Sequence, residues 1–384
     1  MLTQHRPIFF LSIFLIFLFY IMSSNDSHSI PVPAAPPRDF HYRYTVQKGV
    51  FLQSEDSTND TVFDFVCVHQ PIIHPCLTRQ QKKQNFGLID RSYPTDTPDS
   101  PSKIWPRFEA YIRSVASSAQ PGESFKVLFL GRHGQGWHNV AESKYGTAAW
   151  DCYYSFLDGY DGLVWADAHL TPLGEQQAKD VNDLWSTQLK EGLPAPERYY
   201  VSPLTRTLQT ADLSFKGLDL PAEKEYKPYI VELLREALGV HTCDRRSTKT
   251  DLEKAFPHAT FEPAFSDPDV LWEAGYREPA SARRYRLAVL LDSIFADDDS
   301  RDDKNRDHEN VFLSLTSHSG AIASILGAVG HRAFKLETGG VIPVFLRAER
   351  VDGKREVPAK EPSEAPPMCD GPPESERNDA NSSV

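Results

Sequence analysis

KVLFLGRHGQGWHN, residues 126–139, is a short apolar run that empties into an arginine, a histidine and closely spaced glycines. Val127–Leu130 reads as a strand covered on both faces, because a continuous apolar run bounded by turn residues has no side to give to solvent. The following loop then starts at the strand's carboxyl end, where open α/β sheets bind ligands, and Gly131, Gly134 and Gly136 let the backbone approach one. A guanidinium beside an imidazole, Arg132 with His133, suits an anion. No Gly-Lys-Ser/Thr follows and the spacing does not fit the dinucleotide fingerprint, so neither of those phosphate-binding loops is indicated.

Two more segments repeat the pattern. Arg198–Val201 reads as a buried strand, and SPLTRTLQTA (202–211) turns straight into a helix with Arg206 in its first turn. Amides there favour an anion, yet the helix dipole opposes an arginine, and that local conflict points to function. Val311–Thr316 is a third buried strand, ending in Ser317-His318-Ser319-Gly320 before an apolar helix from Ala321 to Val329. A doubly wound sheet opens all three junctions on one edge, so two arginines and two histidines meet in one pocket. Such a pocket is electrostatically costly without a multiply charged anion, and a phosphomonoester is the natural guest.

The remaining pattern predicts a single three-layer α/β/α domain with a mainly parallel central sheet over about residues 40–350. Helices are expected at 105–116, from the Thr171 cap and Pro172 to about residue 190, and at 281–296. Val341–Leu346 reads as a strand near an edge, because Pro343 interrupts it. Residues 141–168 form an aromatic, turn-rich excursion, either a packed loop or a wall for the substrate. The charged stretch 297–310 reads as a solvated loop, and the proline-rich, acidic tail 351–384 as disordered.

The ends and the composition set the context. Residues 8–22 are almost wholly apolar behind Arg6, shorter than the roughly 20 residues a spanning helix needs and typical of a signal-peptide core. The expectation for 1–22 is a cleaved signal or an uncleaved anchor with membrane contact through 8–22, hence secretory entry, with a cytoplasmic protein as the alternative. A proline-rich linker follows over 23–39. A formal net charge of -12 argues against a nucleic-acid binder but not against a local cationic pocket. The 5 cysteines leave at least one unpaired; Cys67 and Cys76 are spaced to close a small loop, and no cluster has zinc spacing.

The string LGRHGQGWHN, with LTPLG at 170–174 and EALGVHTCDRR at 236–246, resembles the histidine phosphatase superfamily in its phosphoglycerate-mutase-like branch, as in the fungal and plant phosphomutase-like proteins. The resemblance implies metal-independent, cofactor-free hydrolysis of a small phosphorylated substrate through a phosphohistidine. His133 is then the nucleophile. Arg132, Arg206 and His318 hold the phosphoryl oxygens, with Asn139 and Ser319 beside them, and Glu236 is the acid. Arg245 and Arg246 either line the rim or form a surface basic patch. A phosphomutase uses the same core, and a silent phosphate-binding protein is the rival from another class; the phytase-like branch, with RHGxRxP and a later HD pair, fits less well.

Overall fold

A mixed sheet of seven strands organises the computed structural model, which describes residues 38–63, 85–299 and 310–373. The leader 1–22, most of the 23–39 linker, Cys67 with Cys76, and most of the charged loop lie outside the described residues. Strands β1 (Phe40–Val46), β2 (Glu123–Arg132), β5 (Arg198–Val201), β6 (Pro228–Ile230), β7 (Thr260–Phe261), β8 (Phe312–Ser317) and β9 (Val341–Asp352) are ordered β1-β9-β2-β8-β5-β6-β7. Only β9 runs against its neighbours. Two short strands, β3 (Gly159–Tyr160) and β4 (Leu163–Val164), form a separate hairpin.

The apolar run of β2 is continuous because both faces are covered. Leu128 and Leu130 pack with helices α7 (Ala280–Asp299) and α8 (Ser319–Ala328). Val127 and Phe129 pack on the other face with α1 (Ile104–Ser117), α4 (Pro172–Lys190) and the end of α5 (Thr205–Phe215). These two layers and the sheet are the expected three-layer fold. Thr171 caps α4 as its sequence suggests, its hydroxyl accepting from the Gly174 amide at 3.1 Å, with Pro172 at the first turn. The aromatic excursion is more regular than expected: α2 (Trp137–Tyr145), α3 (Thr147–Cys152) and the β3–β4 hairpin enclose Tyr145, Trp150, Tyr154 and Trp165.

One expectation is refined and one needs correction. The strand carrying Pro343 is near an edge but not at it, since β9 lies between the edge strand β1 and β2. Its pairing with β1 begins only at Leu346, however, so Pro343 sits where β2 is the one paired strand and its missing donor interrupts no second ladder. The tail is also ordered as far as residue 373: β9 runs to Asp352, and 353–373 follow without regular secondary structure. Arg355 forks both carboxylate oxygens of Asp292 at 2.7 and 2.8 Å. Ser363 accepts from the Arg277 amide at 2.8 Å, and Glu364 donates its own amide to the Arg277 carbonyl at 3.1 Å. Cys369 then closes a disulfide with Cys152 at the end of α3, and its amide donates to the Cys152 carbonyl. Polar composition alone reads as disorder, but here a covalent link and a series of specific hydrogen bonds hold the segment down. Cys243 is buried with a free thiol. Among the described residues no helix is long and apolar enough to cross a membrane.

The strap formed by residues 353–369 generates the first prediction. The disulfide joins cysteines 217 residues apart, and removing such a native link costs about 2–5 kcal/mol. Cys369→Ser is expected to lower the melting temperature by several degrees and to expose residues 356–373 to limited proteolysis before the rest of the fold. Unchanged melting and an uncut tail would show that the hydrogen bonds alone secure the strap.

Candidate active site

The site is built where three neighbouring parallel strands end at the same level. In the ladders Arg132 lies opposite Ser317, and Val201 opposite Thr316. The His133 amide donates to the Ser317 carbonyl at 3.0 Å, and the Ser202 amide to the Thr316 carbonyl at 3.1 Å. This register carries the junctions after β2, β5 and β8 to one edge of the sheet. The rings of His133 and His318 are 5.1 Å apart, and that of His138 lies 5.3 Å from His133. His133, His318 and Arg206 are 3%, 1% and 1% exposed, so their ionisation is governed by neighbours rather than by water.

Each group is held by some of its polar atoms and leaves others unpaired. The His133 Nδ1 is 2.7 Å from the Gly134 carbonyl, which can only accept; the proton therefore sits on Nδ1 and Nε2 keeps its lone pair. The His318 Nε2 pairs with the Ser202 hydroxyl at 2.8 Å. Arg132 donates to the Leu336 carbonyl at 2.7 Å, and Arg206 to the Cys243 carbonyl and to Asp244 at 2.8 Å. Arg132 Nε, Arg206 Nε, His318 Nδ1 and His138 Nδ1 are all buried without a partner. Burial first, then the charge of Arg206, depresses His133, His138 and His318 well below the ordinary imidazole range, so all three are neutral near pH 7.

Glu236 joins this cluster from the loop after β6. One carboxylate oxygen accepts from the Gly320 amide at 2.8 Å and the other from the Ala237 amide at 3.0 Å, with Arg283 at 3.6 Å. A Cβ at Gly320 would collide with the Glu236 carboxylate, so a side chain there would push that carboxylate out of its present position. The loop is fixed by buried charges: Arg286 donates to the carbonyls of Leu233, Arg235 and Glu236, and Arg235 forks Asp269 at 2.6 and 2.8 Å. Asp244 lies between Arg206 and Arg277, 2.8 Å from each. Burial alone would raise its carboxyl, but Arg277 and Arg206 outweigh that and bring it down to about 2.

Several expected roles change in this setting. Arg246 belongs to the framework, neither to the rim nor to a surface patch: it is buried, pairs with Glu232 at 2.7 Å and donates to the carbonyls of Ser247, Ser266, Asp267 and Pro268. Arg245 is at the surface, paired with Asp158 at 2.7 Å and stacked on Trp272. The Asn139 Oδ1 accepts from the Gly136 amide at 3.0 Å and so shapes the loop beside His133. Ser319 opens α8 and is exposed. The anion favoured by the amino terminus of α5 is supplied by the chain itself, since Asp167 accepts from the Thr205 amide and hydroxyl at 2.8 Å each.

His138, Asp244 and Arg277 were given no role by sequence reasoning. The first lies inside the quoted RHGQGWHN string, and the second inside HTCDRR, so their neighbourhood was marked even though their contacts were not. His241, Cys243 and Asp244 bring possible ligand atoms within 4.8 Å of one another. A cation there would face two guanidiniums already bound to Asp244, and burial pushes the Cys243 thiol up, keeping it protonated and a poor ligand.

Sequence comparison places these features in a family. A model described as Histidine phosphatase superfamily (branch 1) matches residues 163–335, beyond the 132–139 loop. A relative from Arthroderma benhamiae, described as a probable phosphoglycerate mutase, is 46% identical over 321 residues, covering 83% of this chain and 88% of its own. The chain belongs to the histidine phosphatase superfamily. Within the superfamily it falls in the phosphoglycerate-mutase-like branch. Phosphomutase-like protein 3 of Candida albicans is 37% identical over 266 residues, covering 69% of this chain and 78% of its own. A phosphoglycerate mutase-like protein of Arabidopsis thaliana is 33% identical over 228 residues, covering 53% and 75%. Family membership supports a phosphatase or a phosphoryl-transfer enzyme.

The neutral histidines of this superfamily member give its acid stability a definite sign. Unfolded imidazoles titrate near about 6.5, whereas these fold with values well below it. In that window the unfolded chain binds more protons, so stability is complete above about pH 6.5 and is lost as pH falls toward the folded values. Asp244 adds a second loss between about pH 4 and about pH 2, as its depressed carboxyl is protonated. Melting temperatures from about pH 7.5 to about pH 5 should decline, and a folded His318→Gln variant should decline less steeply. Equal slopes would mean that His318 takes up its proton over the same pH range in the folded and the unfolded chain.

Proposed function

We propose that the chain is a metal-independent phosphomonoesterase that works through a phosphohistidine on His133. The observation that carries this reading is a buried histidine with its tautomer fixed, accompanied by unpaired buried nitrogens of Arg132, Arg206 and His318. The His133 Nε2 attacks phosphorus as the bond to the ester oxygen breaks, and that oxygen takes a proton from Glu236. Arg132, Arg206 and His318 stabilise the charge that spreads over the three equatorial oxygens. Water then attacks the phosphohistidine, Glu236 accepts its proton, and inorganic phosphate leaves. Asn139 keeps the loop in shape, and on this reading Ser319 and Arg245, which both reach solvent, meet the organic part of a small phosphorylated substrate.

A phosphomutase is the second reading. It is favoured by the descriptions of the relatives and by the burial of His133, since a mutase must shield its phosphohistidine from water long enough to return the group. The two differ in the fate of one intermediate and share every residue named above. Secretory entry is part of the same proposal, because a disulfide such as Cys152–Cys369 persists in an oxidising compartment.

The test is turnover of an aryl phosphate by the purified chain with a chelator present, comparing wild type with His133→Ala. The expected result is activity that survives chelation and falls by at least about 10³-fold in the variant, with an acid-labile phosphoryl label on wild type only. Turnover that appears only with a bisphosphorylated primer would select the mutase. A folded wild type that binds phosphate analogues but transfers nothing would make it a silent phosphate-binding protein.

A further inference from the structure

His138 has no structural employment that explains its burial. It is the second residue of α2, only 9% exposed, and its Nδ1 has no partner. A buried polar atom without a partner loses its hydration for nothing in return, so ordinary buried histidines are paired. His331 shows the contrast: its Nδ1 meets the Arg332 carbonyl at 2.7 Å and its Nε2 the Ser54 hydroxyl at 3.1 Å. That ring is framework. The His138 ring instead lies 5.3 Å from His133, within the electrostatic reach of Arg206, Arg132 and His241.

The ring's setting also decides where its proton is. The edge carrying Nδ1 and Cε1 lies against the Cα of Gly136, where a Cβ would come within 2.6 Å of Nδ1. A proton on Nδ1 would be a buried donor with no acceptor, so the neutral ring carries it on Nε2. The glycine thus does more than turn the chain. It makes room for an imidazole beside the nucleophile, with one N–H still to be used.

We propose that His138 contacts the transferred phosphoryl group directly, donating from Nε2 to one of its oxygens beside the attacking nitrogen of His133. The inference rests on the phosphohistidine reading and adds a donor to it. His138 forms and breaks no covalent bond and keeps its proton, so the balance of the transfer step is unchanged. Its N–H would join those of Arg132, Arg206 and His318 as the phosphoryl group moves from the ester oxygen to His133.

The experiment uses the full chain, with His138→Phe to keep the ring and remove the donor, and His138→Gln to keep a donor. Aryl phosphate turnover, inhibition by orthovanadate and melting temperature without ligand are measured for each. Loss of one such donor is expected to lower kcat/KM of the Phe variant by about 10²–10³-fold. Its vanadate affinity should fall at least about tenfold while its melting temperature holds or rises, because a buried unpaired polar group has been replaced by an apolar one. The Gln variant should recover part of both losses. A Phe variant that melts lower but binds vanadate as wild type does would make His138 a packing residue, and unchanged turnover and affinity would likewise overturn the contact. Wild type that neither turns over nor binds vanadate would instead sink the phosphoryl-transfer reading itself.

Discussion

The ion pair between Arg206 and Asp244 is the contact on which the site depends. A guanidinium buried at the first turn of α5 faces an unfavourable helix dipole and the loss of its hydration. Asp244 supplies the compensating charge 38 residues away in sequence, and the Cys243 carbonyl takes another of the guanidinium nitrogens. One short segment therefore fixes Arg206 and leaves its Nε unpaired. Because Arg277 holds the second carboxylate oxygen, Asp244 remains ionised far below neutrality. Arg206 thus keeps a fixed counter-charge throughout the ordinary range of pH.

That pair is also the meeting point of elements with no other reason to be coupled. Arg277 reaches the carbonyls of Ala237 and Gly239, so the guanidinium that neutralises Asp244 also shapes the turn just after Glu236. Its own backbone is bracketed by Ser363 and Glu364 from the strap, which ends in the disulfide to α3. Cys152, at the carboxyl end of α3, adjoins the aromatic cluster that includes Cys243. The connection therefore runs from Arg206 through a carboxylate, a second arginine and the tail, and back to the segment beside Arg206. A loop without regular secondary structure is made rigid by this closed circuit.

How much of this could be read beforehand follows from the range of each interaction. The three strand-to-helix junctions were legible because each is local: an apolar run, a turn and a polar residue within a few positions. Their convergence followed from the rules of parallel sheets. The clamp on Arg206, the order of the tail and the pairing of Cys152 with Cys369 were not legible, because every one joins segments that no local pattern connects. Arg246 shows the same limit from the other side. Beside Arg245 it reads as half of a surface basic pair, but Glu232 and the carbonyls of 266–268 bury it as framework. Pro343 looked like an edge signal because sequence cannot show where a neighbouring strand stops.

On the phosphoryl-transfer reading, the ionisation of the pocket says why its guest should be a dianion. Arg206 is already paired, and the buried imidazoles are neutral, while Arg132 has no carboxylate within ion-pair distance among the described residues. Such a site avoids most of the self-repulsion that fully charged arginines and histidines would suffer. A phosphomonoester dianion reverses the balance, because its charge offsets both the burial and the guanidiniums that keep His138 and His318 neutral. His318, whose Nδ1 is unpaired, can then gain a proton and a second donor in the presence of the charge that needs it, while His138 offers the N–H it already carries. A monoanionic diester would return about half of that electrostatic gain by charge alone. Buried neutral histidines are therefore suited to recognising the doubly charged form, and they let an acidic protein carry a phosphate pocket without a cationic surface.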